Sequence, residues 1–398
     1  MSTTIRTGAR TPLSGSSGFS LVELIVAMGI TTVIMAATMA GLADVAKGSE
    51  TVLKMTAMNR SLGSGMDLIE RDLLGGDCLN VGCVPSKTLI RTSHLYADMR
   101  NAEQYGAQPP ADIRVEFAAM MQRMRGIRAR ISRADSVRRL SAAGVDVFFG
   151  QACFTGTDAL TVDGAKLCFK KALIATGARP NTPSIPGLVE AGYLTNENVF
   201  DLTELPRRLL VIGGGPLGCE LAQAFSRFGA QTIIAQSWPL FLPKEERDAA
   251  QLLSDAFARD GIEVRLNTRA VNVRVEGGQK LVDLVSDDYK STVAVDAILT
   301  GTGRVPNVDG LNLDAAGVDF DTTTGIRVDD FLQTSNRRIY AAGDACLEHK
   351  FTHTADASAR IAPGVAFSGA LSGMPATNGE MPAASGTATP LSVVLPAT

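Results

Sequence analysis

Cys78 and Cys83 are the residues of this 398-residue chain whose type and spacing most directly offer chemistry. They stand in Gly76-Asp77-Cys78-Leu79-Asn80-Val81-Gly82-Cys83-Val84-Pro85-Ser86-Lys87, separated by four residues. On a regular helix such positions lie roughly 8 Å apart and point in different directions. A disulfide needs Cα atoms within about 7 Å, so a bonded pair could not sit on an ideal helix. Gly82 and Pro85 point to an irregular turn, with a helix beginning at or near Cys83. A cysteine there faces the positive end of the helix dipole, which favours its thiolate. The alternative is two unrelated packed thiols, since free cysteine is at home in apolar surroundings.

A second pattern binds rather than reacts. Leu209-Leu210-Val211-Ile212 reads as a short apolar strand, followed by Gly213, Gly215 and Gly218 in GxGxxG spacing. A helix is predicted to about Phe228, then a strand over Gln231–Ala235. Strand, glycine turn and helix form the context in which backbone amides cradle a dinucleotide pyrophosphate at a helix N-terminus. An acidic residue after the second strand would hold the ribose hydroxyls of NAD. Gln236 and Ser237 stand there instead, and Lys244 and Arg247 come later. The pattern thus favours NADPH over NADH.

These motifs need elements to hold them, and the chain is long enough for two or three domains. A net charge of −3 and the absence of a basic block give no footing for nucleic acid. The six cysteines, at 78, 83, 153, 168, 219 and 346, are too dispersed for a disulfide scaffold. No CxxC or HExxH pattern offers a metal site. His349 and His353 could share a helix face, with solvation or packing as their role. Helical periodicity is expected from the cysteines through Tyr96 and again over Phe117–Ala142, where arginines read as a solvated face. Short strands are expected within 145–154, 159–162 and 165–177.

The string GGDCLNVGCVPSK, 13 residues from Gly75 to Lys87, closely resembles the redox-active disulfide motif of the flavin-dependent pyridine nucleotide–disulfide oxidoreductases. Mercuric reductase and lipoamide dehydrogenase belong to that family. Ala175-Thr176-Gly177, Gly301-Thr302-Gly303-Arg304-Val305-Pro306-Asn307 and Ile339-Tyr340-Ala341-Ala342-Gly343-Asp344-Ala345 resemble further family strings, in family order. The resemblance implies an α/β flavoprotein with two Rossmann-like dinucleotide-binding domains. It implies a Cys78–Cys83 disulfide reduced by NAD(P)H through FAD, with Cys78 meeting a small-molecule or disulfide substrate and Cys83 beside the flavin. It places Lys87 near the flavin ring, Thr176, Gly177 and Asp344 on FAD, and Gly213, Gly215, Gly218, Glu220, Gln236 and Gly303 on NAD(P).

The first 74 residues read differently. Phe19–Ala43 is apolar apart from Glu23 and long enough to cross a bilayer. Gly18-Phe19-Ser20-Leu21-Val22-Glu23 resembles the prepilin peptidase site of type IV pilins and pseudopilins. That resemblance implies cleavage after Gly18, methylation of Phe19 and a pairing role for Glu23. A single-pass inner-membrane protein follows if this segment is authentic, and a cytoplasmic one otherwise.

The expected division is therefore a leader at 1–18, a pilin-like helix at 19–74, flavin-domain segments at 75–199 and 301–361, and an NAD(P) domain at 200–300. A disordered tail rich in Gly, Ala, Ser, Thr and Pro is expected at 362–398. Against the family pattern, the flavin glycine loop and the C-terminal dimerisation domain are missing from this division. The expectation is then a truncated flavoprotein that binds NAD(P)H but holds FAD poorly, without the family's homodimer or a mercury site. A pilin-like structural subunit and an inactive fusion of gene fragments are the competing readings.

Overall fold

A computed structural model describes residues 76–132, 137–142, 144–287, 289–371 and 391–395. The expected leader, membrane span, Gly18, Phe19 and Glu23 lie outside the described residues. Among the described residues no helix is long and apolar enough to cross a membrane.

Two helices flank the cysteine turn. Helix α1 (Gly76–Asn80) carries Cys78, and α2 (Cys83–Arg100) begins on Cys83, as the glycine and proline led one to expect. In the next helical stretch the structure describes α3 (Phe117–Ser132) and α4 (Val137–Ala142). Strand β1 (Val145–Phe149) follows, then the antiparallel meander β2 (Ala152–Gly156), β3 (Ala159–Val162) and β4 (Ala165–Cys168). Strands β5 (Ala172–Ile174) and β6 (Ala178–Pro180) lead out of this region.

The glycine motif lies where the sequence placed it. Strand β7 (Arg208–Ile212) runs into α5 (Pro216–Phe228), then β8 (Gln231–Ala235), α6 (Arg247–Arg259) and β9 (Glu263–Arg265). A meander of β10 (Arg269–Glu276), β11 (Gln279–Val285) and β12 (Lys290–Val295) precedes β13 (Ala297–Thr300). Strands β13-β7-β8-β9 form a parallel sheet. Leu209 and Val211 face a core shared with Leu89 of α2, Met121 and Met124 of α3 and Phe225 of α5. Leu210 and Ile212 face the opposite core, against Val273, Val282 and Leu284 of the meander. Alternate residues of one strand thus enter different cores, which is why Leu209–Ile212 is apolar without a polar face.

The chain then returns. Strand β14 (Arg304–Pro306) pairs with β6, and β15 (Ile339–Ala341) lies parallel to β5. Helix α7 (Thr352–Leu371) runs ten residues beyond the expected end of structure at 361, and β16 (Leu391–Leu395) pairs in parallel with β1. Of the tail expected to be disordered at 362–398, the structure describes 362–371 as the end of α7 and 391–395 as β16. Leu391-Ser392-Val393-Val394-Leu395 is a β-rich segment that finds partners in Val145–Phe149. His349 precedes α7 rather than sharing a face with His353, which stacks on Phe351.

Candidate active site

The cysteine turn is closed by backbone. Val81 N donates to Asp77 O at 2.9 Å and Ser86 N to Gly82 O at 3.1 Å. A Cβ at Gly82 would sit 2.7 Å from Asp77 O and 3.1 Å from Cys78 Cα, so only glycine lets the chain fold back this closely. Cys78 and Cys83 are free thiols here, each half-buried. Burial pushes the Cys78 thiol up, and the neighbouring Cys83 pushes it further. Cys83 Sγ lies 3.1 Å from the Thr352 hydroxyl at the first residue of α7. The sequence reading did not name Thr352, because its contact spans 269 residues of chain.

Lys87 lies one turn into α2, and its ammonium donates to both carboxylate oxygens of Glu220 at 2.6 and 2.7 Å. Glu220 stands on α5, directly after the glycine turn. Two residues predicted from separate motifs therefore meet, joining the cysteine helix to the nucleotide helix.

The glycine turn is sterically enforced. Gly213 takes φ +102°, and a Cβ there would stand 2.5 Å from Gly301 O. A Cβ on Gly218 would stand 2.2 Å from Gly213 O, so helix and strand approach only through glycine. Gly215 caps α5, and Pro216 opens it. Gln236 is 8 % exposed and its Oε1 accepts from Gly214 N at 3.0 Å. Gly303 takes φ +102° in open space, and its carbonyl accepts from Asn181 N at 2.9 Å.

Thr176 and Gly177 are zipped to Asn307. Thr176 Oγ1 donates to Asn307 O at 2.6 Å, Asn307 Nδ2 to Thr176 O at 2.9 Å, and Asn307 N to Gly177 O at 2.9 Å. Asp344 follows β15 in a short turn. Arg304 links this turn to the cysteine helix: its Nη2 donates to the Asp77 carboxylate and to Ala178 O, while Nε lies 3.3 Å from Asp344 Oδ2. Arg304 Nε is buried without a well-directed hydrogen-bond partner among the described residues. Burial holds the Asp344 carboxyl above its ordinary range, and Arg304 offsets this only in part. Glu197 is raised likewise, by burial first and then by Asp77. Asp77 and Arg304 sit in motif strings, yet nothing local signalled that 227 residues apart they would pair.

This region suits the central part of a flavin. An orphaned N–H and a buried carboxylate short of donors are groups that a ligand's hydroxyl and carbonyl functions can satisfy. Among the described residues, no cluster of His, Cys, Asp and Glu could hold a metal ion.

A parallel sheet with a glycine turn, beside a cysteine turn linked to it by an ion pair, defines an α/β flavoprotein disulfide reductase-like fold. The sequence profile of the pyridine nucleotide-disulphide oxidoreductases matches residues 24–359, and the chain belongs to that family. Mercuric reductase of Lysinibacillus sphaericus is 34% identical over 293 residues, 74% of this chain and 54% of that protein. Dihydrolipoyl dehydrogenase of Bacillus subtilis is 31% identical over 299 residues, 74% of this chain and 64% of that one. The solved HOCl-induced flavoprotein disulfide reductase RclA from Escherichia coli superposes with a TM-score of 0.65 at 29% identity, covering 73% of this chain and 62% of its own. The chain spans about half the length of the mercuric reductases it matches.

Proposed function

We propose that this chain is an FAD-dependent NAD(P)H oxidoreductase whose working group is the Cys78–Cys83 pair, acting on a dithiol, disulfide or similar small acceptor. The observation that carries this is the Lys87–Glu220 ion pair, which holds the start of the cysteine helix against the nucleotide helix. Residues 75–199 and 301–361 serve the flavin and residues 200–300 the nicotinamide nucleotide.

FAD, when bound, supplies two-electron chemistry between nicotinamide and sulfur. Asp344 would accept from its ribityl hydroxyls, and Thr176 and Gly177 would line the chain that passes it. Gly213, Gly215 and Gly218 admit the nucleotide pyrophosphate, with Gly303 at the same end of the sheet. Lys87 would place positive charge near the ring, where charge develops on reduction. Glu220 orients that ammonium. The overall exchange is balanced: NAD(P)H, one proton and the disulfide give NAD(P)+ and two thiols. Cys83 stands at the helix start, with the Thr352 hydroxyl 3.1 Å from its Sγ. Cys78 exchanges with the acceptor as its thiolate, which burial and the neighbouring Cys83 disfavour.

The test is NADPH oxidation by the full chain at saturating FAD, with a small disulfide as acceptor. Turnover that disappears in Cys78→Ser and Cys83→Ser supports the assignment. No turnover in the parent chain, or turnover unchanged in both variants, contradicts it.

A further inference from the structure

Two carbonyls between Cys78 and Cys83 are held from outside the cysteine segment. Helix α1 ends at Asn80 and α2 begins at Cys83, so the backbone between them runs through Val81 and Gly82. In a continuous helix Val81 O would accept from the amide four residues on. That residue is Pro85, which has no N–H to give. The donor comes instead from Asn196, whose Nδ2 lies 3.3 Å from Val81 O. A carbonyl can only accept, so the orientation of the Asn196 amide is determined. Asn196 is 4 % and Val81 8 % exposed, which shields the bond from water. Arg128 of α3 adds a second long-range donor, Nη1 to Asn80 O at 3.0 Å.

Both donors are anchored in turn. Leu194 N donates to Ile298 O at 2.7 Å and Thr300 N to Leu194 O at 2.8 Å, which stitches the segment carrying Asn196 to β13 of the parallel sheet. Within that segment Thr195 N donates to Asn198 Oδ1 at 2.8 Å and Val199 N to Thr195 O at 3.0 Å. Arg125 of α3 donates to Leu202 O at 3.1 Å, tying the helix of Arg128 to the same stretch of chain. Val81, Met121, Met124, Val199 and Phe200 share one core beneath these bonds.

Resting on the reading of Cys78 and Cys83 as the redox pair, we infer that Asn196, supported by Arg128, is a positioning residue that keeps the loop between the cysteines closed and thereby favours the disulfide over the dithiol. The effect is a difference between the two states. In the disulfide the S–S bond itself closes the loop. In the dithiol only hydrogen bonds close it. Without the Asn196 amide, the dithiol loop can open and give Val81 O to water, whereas the disulfide loop keeps that buried carbonyl unsatisfied. The dithiol gains relative to the disulfide, and the pair becomes easier to reduce.

The test reads that equilibrium without flavin or turnover. The full chain is equilibrated anaerobically in mixtures of reduced and oxidised dithiothreitol, trapped with iodoacetamide and mapped by mass spectrometry at positions 78 and 83. Each disulfide takes two electrons and two protons from one dithiothreitol, which closes to its cyclic disulfide. Asn196→Leu, which keeps the branched shape and removes the donor, is expected to raise the equilibrium constant for reduction about tenfold, a shift of about 30 mV toward easier reduction. Arg128→Leu is expected to raise it about threefold, and Arg128→Lys, which keeps a donor, to stay near the parent. Met124→Ala opens a cavity in the same core without touching the loop. It should lower the urea midpoint and leave the constant at the parent value. If Asn196→Leu does not fold, Arg128→Leu decides alone. An unchanged or lowered constant in the folded leucine variants, or an equal rise in Met124→Ala, overturns the inference alone. No bond between Cys78 and Cys83 in the oxidised parent overturns the redox reading and the inference with it.

Discussion

The regions proposed to serve the nicotinamide nucleotide and the flavin are built by different means. Around β7 and β8 the site is backbone: four parallel strands, both faces of β7 buried, and glycines that let helix and strand touch. Around β5 and β15 the described sheet is a two-stranded parallel pair, and the site consists of side chains from distant segments, Asp77, Glu197, Arg304 and Asp344. The first is a short contiguous construction. The second assembles only when segments more than two hundred residues apart close on Arg304.

The comparison is sharpest at two glycines. Gly218→Ala puts a Cβ 2.2 Å from a backbone oxygen that cannot move without opening the turn. A destabilisation of about 3 kcal/mol or more is expected, together with loss of nucleotide binding, read by urea unfolding and calorimetry. Gly177→Ala meets open space and strains only a φ of +69°. It should cost about 1 kcal/mol and leave nucleotide binding intact. Equal costs at the two positions would break the comparison.

Arg304→Met falls between these. It leaves the Asp77 and Asp344 carboxylates, 28 % and 18 % exposed, without their cation. Removing one partner of a fully buried pair costs about 3–5 kcal/mol, and partial exposure brings the expectation to about 2 kcal/mol. In Asp77→Asn the cost of the same change should shrink, a coupling that a double-mutant cycle measures.

The two regions should also answer pH oppositely. Asp283, bonded by Thr292, Arg274 and Asn272, and Asp296, bonded by Arg208, are held below the ordinary carboxylate range. Their stabilisation is present above the unfolded-state pKa and is lost as pH falls through the folded-state value. Asp344 and Glu197 are held above it, chiefly by burial. Their protonated forms favour folding, and that advantage fades as pH rises from the unfolded-state value through the folded one. Hydrogen exchange, corrected for intrinsic rates, should show β10–β13 losing protection on acidification while the segments around Glu197 and Asp344 hold or gain. A uniform change across both regions would contradict this.

The smallest stability effect is expected at Lys87→Met. Lys87 is 56 % and Glu220 34 % exposed, so their bond contributes at most about 1 kcal/mol. Its loss should lower turnover far more than it lowers the unfolding midpoint.

These differences also explain what the sequence revealed. The start of α2 at Cys83, the helix from Pro216 to Phe228 and the strand Gln231–Ala235 were legible because glycine, proline and apolar periodicity act over a few residues. The same locality exposed the two glycine turns and placed Lys87 and Glu220 in recognisable strings. The Cys83–Thr352 contact and the hub at Arg304 were not legible, since neither partner changes the local pattern of the other. The strand Leu391–Leu395 was hidden by the composition bias of the sequence around it, and its partner β1 lies in a distant segment. The lock on Gln236 was half legible: the missing acid was visible, but the bond from Gly214 was not.

The central claim, that Cys78 and Cys83 form the redox centre, is tested most directly by counting thiols. The air-oxidised full chain is incubated anaerobically with FAD and NADPH, trapped with iodoacetamide and mapped by mass spectrometry. The account predicts two newly alkylated cysteines per chain, at positions 78 and 83, dependent on NADPH. No gain at these positions, or a gain confined to Cys153, Cys168, Cys219 or Cys346, would contradict it.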